Sequence, residues 1–467
     1  MSKMRLLSGL CALALAGCAV GPDYVRPEID TAAQFKETKD WKLASPSDEI
    51  PRGEWWTIFG DEDLNRLEQQ LNQHNQSIAA AEAQYREATA SLQEAQAGFY
   101  PTVSAGASET RGRSTGSAST SSVVAKSYDA SLSASWELDL WGKVRRQVEA
   151  GRAGSEASQA SLANIRLSEQ AALAIAYFQL YVSDRLARSL QASIEAYQRE
   201  LQITRNSYAA GVSGEADVLQ AENQLETLQV QATDQGLQRA ELEHSIAVLT
   251  GQAPSDFALS ERTLAPHVPE IPAGLPSELL ERRPDIAQAE RLVAQANAEI
   301  GVAKAAYYPN LTLGASGGYL ANNLAHWISV PSRIWSIGPS LAETLFDGGL
   351  RNAQTSAAQA TYDQSVASYR QTVLAAFQNV EDNLAAERIL QQEAQTEHLA
   401  VESARKSAAI TFNQYQAGTA SMLNVSQSNA TLQANLRTEF NILNSRLTAA
   451  VGLIKALGGG YVQAKAS

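Results

Sequence analysis

The 467-residue sequence predicts an internally duplicated α+β membrane protein in which four strands per chain join those of other copies in a β-barrel that continues into long helices. Three observations predict it: an internal repeat, two helical segments of nearly 70 residues, and thirteen residues of unbroken apolar–polar alternation.

The repeat comes first because it organises the chain. Ile203-Thr204-x-Asn206-x-Tyr208-x-Ala210-Gly211 recurs as Ile410-Thr411-x-Asn413-x-Tyr415-x-Ala417-Gly418, an offset of 207 residues. Ala97-Gly98-Phe99-Tyr100-Pro101 pairs with Ala305-Ala306-Tyr307-Tyr308-Pro309 at an offset of 208. Two ordered matches at nearly one offset mark a duplication. Each half reads as helix, two strands, long helix, turn, helix. The predicted helices are 61–98, 143–209 and 215–250, then 284–306, 349–416 and 421–457. The expected divisions are a signal peptide (1–17), an N-terminal extended segment (18–60), a first repeat (61–251), a Pro-rich linker (252–283), a second repeat (284–458) and a tail (459–467).

At about 1.5 Å per residue, each long helix extends roughly 100 Å, more than a compact domain needs. Its apolar seam is narrow. Leu186, Leu190, Ile194, Tyr197, Leu201 and Tyr208 step mostly by threes and fours, as do Leu432, Leu436, Phe440, Leu443, Leu447, Val451 and Ile454. Such a seam packs one helix against another and leaves the other faces wet. On the helices alone, a plain antiparallel coiled coil is the favoured reading.

The strands point elsewhere. From Tyr128 to Leu140 the even positions are Tyr, Ala, Leu, Ala, Trp, Leu, Leu, and the odd ones Asp, Ser, Ser, Ser, Glu, Asp. A strand sends these to opposite faces, which suits lipid on one side and water on the other. A soluble sandwich also alternates. Val103 to Ser108, Leu311 to Tyr319 and Trp335 to Leu341 repeat the pattern, with hairpin loops expected at Ser114–Ser122 and Ala321–Ala325. Four strands cannot close a barrel, and open edges cannot face lipid. Several copies must therefore share one; three would give twelve strands.

Composition narrows the function. With 37 Lys and Arg against 50 Asp and Glu, the formal net charge is −13. Such a chain lacks the cationic surplus that nucleic acid requires. The five histidines (His74, His244, His267, His326, His398) are scattered, and no P-loop, Gly-x-Ser-x-Gly or His-Glu-x-x-His occurs, so neither an enzyme nor a metal site is expected. Both cysteines, Cys11 and Cys18, lie in the first eighteen residues. Lys3 and Arg5 precede an apolar run, Leu6 to Leu15, and then Ala16-Gly17-Cys18. This is a secretory signal, and its end resembles the bacterial lipobox, which implies a lipidated Cys18. Ala19 rather than Asp after the cysteine resembles outer-membrane sorting in enteric-type bacteria.

Cys18-Ala19-Val20-Gly21-Pro22-Asp23-Tyr24-Val25-Arg26-Pro27, Arg282-Arg283-Pro284-Asp285-Ile286-x-x-Ala289-Glu290, Tyr308-Pro309, and the turns Leu138-Asp139-Leu140-Trp141-Gly142 and Phe346-Asp347-Gly348-Gly349 complete the pattern. Together they resemble the TolC-like outer-membrane factors, in particular the OprM/NodT-like lipoprotein branch serving RND-type efflux pumps. The resemblance spans essentially the whole chain. It implies a homotrimer with a twelve-stranded barrel in outer-membrane lipid and an α-helical barrel in the periplasm. It further implies a periplasmic adaptor and an inner-membrane RND-type pump as partners, and no cofactor beyond the covalent lipid. An outlet for an ABC-type or protein-secretion exporter is the alternative within the family.

The resemblance also implies a gate at the hairpin tips, Gly211 and Gly418. The family's acid six residues past the tip glycine is matched by Asp217. In the second half Asn424 and Gln427 stand where some relatives carry acids. Tyr415 occupies the position from which relatives bind the acid of a neighbouring hairpin, so Tyr415 and Asp217 are a candidate latch. Ala420 replaces the arginine that reinforces it. Apart from Met1 and Met4 in the signal, Met422 is the one methionine, which argues against a copper or silver outlet lined by soft sulfur.

Overall fold

In the computed structural model, the described residues are 19–28, 53–115, 122–261, 269 and 283–459. A short 3-10 turn, Trp55–Phe59, precedes α1 (Glu62–His74) and α2 (Gln76–Ala97). Strands β1 (Thr102–Thr115) and β2 (Ser122–Glu137) lead to the long α3 (Lys143–Ala209) and to α4 (Glu215–Leu249). The second half gives α5 (Pro284–Ala305), β3 (Asn310–Ala321), β4 (Arg333–Ala342), the long α6 (Leu350–Gln416) and α7 (Met422–Ala456). The long helices both have 67 residues and their partners both have 35, each pair offset by 207, so the duplication is preserved in the helices. No described helix is long and apolar enough to cross a membrane.

Two compact units divide the chain, and each draws on both repeats. The first holds residues 1–29, 84–159 and 288–371. Its sheet has the order β1-β2-β3-β4, all antiparallel. The register sorts the side chains. Val103, Ala134, Ala315 and Ile337 form one cross-strand row, and Ala105, Leu132, Gly317 and Trp335 the next. On the opposite face Ser104, Ser133, Ser316 and Ser336 form a continuous row of hydroxyls, with Oγ–Oγ distances of 2.8 Å for Ser104–Ser133 and 2.9 Å for Ser316–Ser336. Large apolar residues, among them Leu132, Trp335, Ile337 and Leu341, stand well exposed on the first face. β1 and β4 are open edges whose backbone groups need partners from other copies in lipid.

The alternation that runs on to Leu140 overstates β2, which ends at Glu137. The reason is Asp139. Its carboxylate accepts from the N–H groups of Val144 (2.9 Å) and Arg145 (3.0 Å) and from Arg145 Nε (3.1 Å), turning the chain into α3. Asp347 does the same before α6, accepting from Gly349 N–H (2.9 Å) and Arg351 Nε (2.6 Å). The Arg351 hydrogen bond and the Gly349 N–H hold its carboxyl below the ordinary carboxylate value. Both acids sit where a helix N-terminus favours negative charge. Trp141 then stacks on Tyr308 at 5.0 Å and donates to Pro309 O at 2.8 Å. That contact joins Trp141 to the Tyr308-Pro309 motif, while Gly142 is fixed by its φ of +80° and the close approach of Ala19.

The first residues after Cys18 form a strap in the same unit. Cys18 itself lies outside the described residues. Buried Arg146 donates to Val20 O, Gly21 O, Asp23 Oδ1 (2.7 Å) and Glu149 Oε2 (2.7 Å). Burial opposes its charge, but the bonds to Asp23 and Glu149 prevail and raise its pKa. Tyr24 donates to Glu290 at 2.6 Å, and Asn297 to Pro22 O at 3.0 Å. A Cβ on Gly21 (φ +107°) would strike the backbone of Gly301, so this glycine is dictated by close approach.

The second unit holds residues 30–83, 160–287 and 372–467. The Phe59 ring lies 6.5 Å from Trp55 and 4.7 Å from Phe178, and Leu64, Leu67 and Leu71 of α1 are fully buried. The single helix expected over 61–98 is broken at Asn75. Its side chain donates to Leu249 O (2.9 Å) and Glu169 (3.0 Å) and accepts from Ile78 N–H (3.0 Å). An amide that bonds the next turn's backbone ends one helix and caps another. Tyr208, expected in the seam, is instead 48% exposed, while Leu190, Ile194 and Tyr197 pack against Leu228. The expected loop at Ser114–Ser122 falls largely outside the described residues. The β3–β4 connection runs well past Ala325 through two 3-10 turns, Leu324–His326 and Val330–Ser332.

The two faces of the sheet predict opposite tolerances. Leu132→Arg should destabilise the barrel by about 2–4 kcal/mol and prevent insertion into lipid vesicles. Ser133→Asp, on the hydroxyl face, should insert at wild-type yield; equal behaviour of the two would contradict the assignment of faces.

Candidate functional site at the helical hairpin turns

The α3–α4 and α6–α7 hairpins each turn on a glycine with positive φ: Gly211 at +75° and Gly418 at +74°. The turns are built alike. Gly211 N–H donates to Tyr208 O and Val212 N–H to Ser207 O, both at 2.9 Å; Gly418 N–H donates to Tyr415 O and Thr419 N–H to Gln414 O, both at 2.9 Å. These bonds satisfy the last carbonyls of the long helices.

The caps that follow differ. Gly214 has no side chain to cap α4, so Asp217 supplies one, accepting from Gly214 N–H at 3.2 Å. In the second half Ser421 is the cap, its hydroxyl facing Asn424 N–H at 3.4 Å. The position equivalent to Asp217 is Asn424, which stands exposed, as does Gln427. The Tyr415–Asp217 latch is not made within the chain. The Tyr415 hydroxyl instead lies 3.4 Å from Thr204 Oγ1, its ring packed beside Leu201, Ala221, Met422 and Val425. Met422 is 1% exposed in this cluster.

A ladder of polar contacts joins the hairpins. Gln220 donates to Ser426 Oγ (2.9 Å), Gln224 to Ser426 O (3.0 Å), Asn429 to Glu200 Oε2 (3.1 Å), Gln433 to Ser193 Oγ (2.8 Å) and Arg437 to Gln231 Oε1 (2.6 Å). Sequence reasoning missed these rungs. The available signal was spacing: Ser426, Asn429 and Gln433 fall at i, i+3 and i+7, in step with the apolar seam. From Ser407 to Leu436 the second hairpin carries no Asp, Glu, Lys, Arg or His. The first carries Glu200, Arg205, Glu215, Asp217, Glu222 and Glu226 around its turn.

Comparison with known proteins follows from this geometry. A model of the outer membrane efflux protein family matches residues 67–252 and 275–459. The chain is 30% identical over 468 aligned positions to the toluene efflux pump outer membrane protein TtgC of Pseudomonas putida, covering 99% of this chain and 97% of that protein. To the cation efflux system protein CusC of Escherichia coli it is 27% identical, with 99% and 100% covered. Among solved structures, the outer-membrane channel OprN superimposes with a TM-score of 0.87 at 31% identity over 95% of this chain and 99% of that one. VceC of Vibrio cholerae gives 0.79 at 26% identity over 88% and 100%.

The capping assignment predicts a rescue. Ser421→Ala should destabilise the start of α7 by about 1 kcal/mol, read as faster amide exchange at residues 423–425. Adding Asn424→Asp, which imports the first half's device, should restore protection. No recovery would mean that Asp217 serves something other than the cap.

Proposed function

The chain belongs to the outer membrane efflux protein family, and we propose that it is the passive exit duct of a tripartite system, met in the periplasm by an adaptor and an inner-membrane RND-type pump. It is an outer-membrane channel component, and four strands from each of three chains make its barrel. One observation carries the reading: a sheet apolar on one face and hydroxylic on the other, with both edges open.

The family is one of transport proteins, and the duct itself performs no chemistry in this reading. Cys18 carries the lipid anchor. The cargo is a small organic molecule: TtgC is named for toluene, and Met422 is buried at 1% exposure in the cluster between the hairpins. An uncoordinated lumen suits organic solutes better than soft metal ions. The N-terminal strap motif favours an RND-type partner over an ABC-type exporter.

Electron microscopy of the detergent-purified protein should show trimeric particles; a soluble monomer would end the proposal. Its hairpin entrance, with amides at Asn424 and Gln427, should be weakly cation-selective. In a salt gradient across a planar bilayer the reversal potential should lie near zero. Strong cation selectivity would contradict this, and its loss in Asp217→Asn would trace it to that residue.

A further inference from the structure

Resting on the channel reading, the rungs between the hairpins suggest how the entrance is held. We propose that Glu200 on α3 and Asn429 on α7 form a proton-controlled latch, closed when the carboxyl is neutral and loosened when it is charged. The geometry is specific. Asn429, 5% exposed, reaches across from the second hairpin to Glu200 Oε2 at 3.1 Å. One turn nearer the tip lie Thr204, fully buried, and the apolar cluster of Leu201, Met422 and Val425. One turn farther back lies Tyr197, itself 7% exposed.

Nothing at this rung neutralises a carboxylate. The facing hairpin offers no cation between Ser407 and Leu436, and its one titratable group there is Tyr415, whose hydroxyl goes to Thr204. On the first hairpin, Arg205 is taken by Glu222 at 2.7 Å; Arg199 and Glu226 are exposed. Tyr197 is pushed up by burial and by Glu200 and donates no charge. Burial, offset in part by the Asn429 bond, pushes the Glu200 carboxyl up to about 7 from 4.5.

The direction of the effect follows. When the hairpins part, water solvates Glu200 and it ionises readily. Closed packing is therefore favoured in full below about pH 4.5, weakens as pH rises toward about 7, and is constant above that. The Gln220–Ser426, Gln224–Ser426 and Ser193–Gln433 rungs are built from amide, hydroxyl and backbone groups that do not titrate. Glu200 is thus the rung whose charge changes near neutrality.

The test is current through the full-length trimer in planar bilayers at about pH 5 and about pH 8. Wild-type conductance should be several-fold higher at the upper pH. Glu200→Gln, uncharged at both, should stay at the low level throughout while eluting as a wild-type trimer. As a variant independent of titration, oxidising Glu200→Cys/Asn429→Cys should hold the conductance low at both pH values, and reductant should restore it. Retention of the wild-type pH step in Glu200→Gln would overturn the latch while leaving the channel intact. Absence of current in wild type and in every reduced variant would overturn the channel reading and the latch with it.

Discussion

An unpaired strand edge has no place in lipid, and most of this protein follows from that constraint. Each chain contributes a four-stranded sheet with β1 and β4 open. Hydrogen-bond satisfaction then requires copies on either side, and a closed barrel requires a hydroxylic face inward and an apolar face outward. The row Ser104–Ser133–Ser316–Ser336 shows how closely the register serves this. A slip of one residue between strands would put Leu132 and Ile337 on the water side. The register is protected at the base by Asp139 and Asp347, which end the strands and start the long helices in one step.

Duplication gave the two halves the same helix lengths and the same glycine turns, and divergence then used them differently. The first hairpin carries charges around its turn; the second has none over thirty residues, Ser407 to Leu436. The caps differ too. In the first half the Asp217 side chain accepts from the Gly214 N–H, and in the second the Ser421 hydroxyl faces the Asn424 N–H.

For the latch proposed between the hairpins, the strength of the contacts between them matters more than the stability of either one. Polar rungs suit this role, because each contributes modestly and is exchanged for water on parting. A fully apolar seam would hold more tightly and release less readily. Glu200 adds sensitivity to protons because burial, rather than a cation, sets its titration.

The sequence by itself determined the duplication, the helices over 143–209 and 349–416, the two-faced strands and the family, because periodicity and repeated motifs are local and survive in one dimension. It also marked Gly211 and Gly418, since a tight turn between long helices needs positive φ. Only the tertiary structure decided the break at Asn75, the early end of β2, the exposure of Tyr208, and the contact of the Tyr415 hydroxyl with Thr204 within the chain. It alone revealed that Glu200, an ordinary helical glutamate in sequence, meets Asn429, more than two hundred residues away in the cation-free stretch Ser407 to Leu436. Burial and charge pairing depend on which distant faces meet, and no local pattern carries that information.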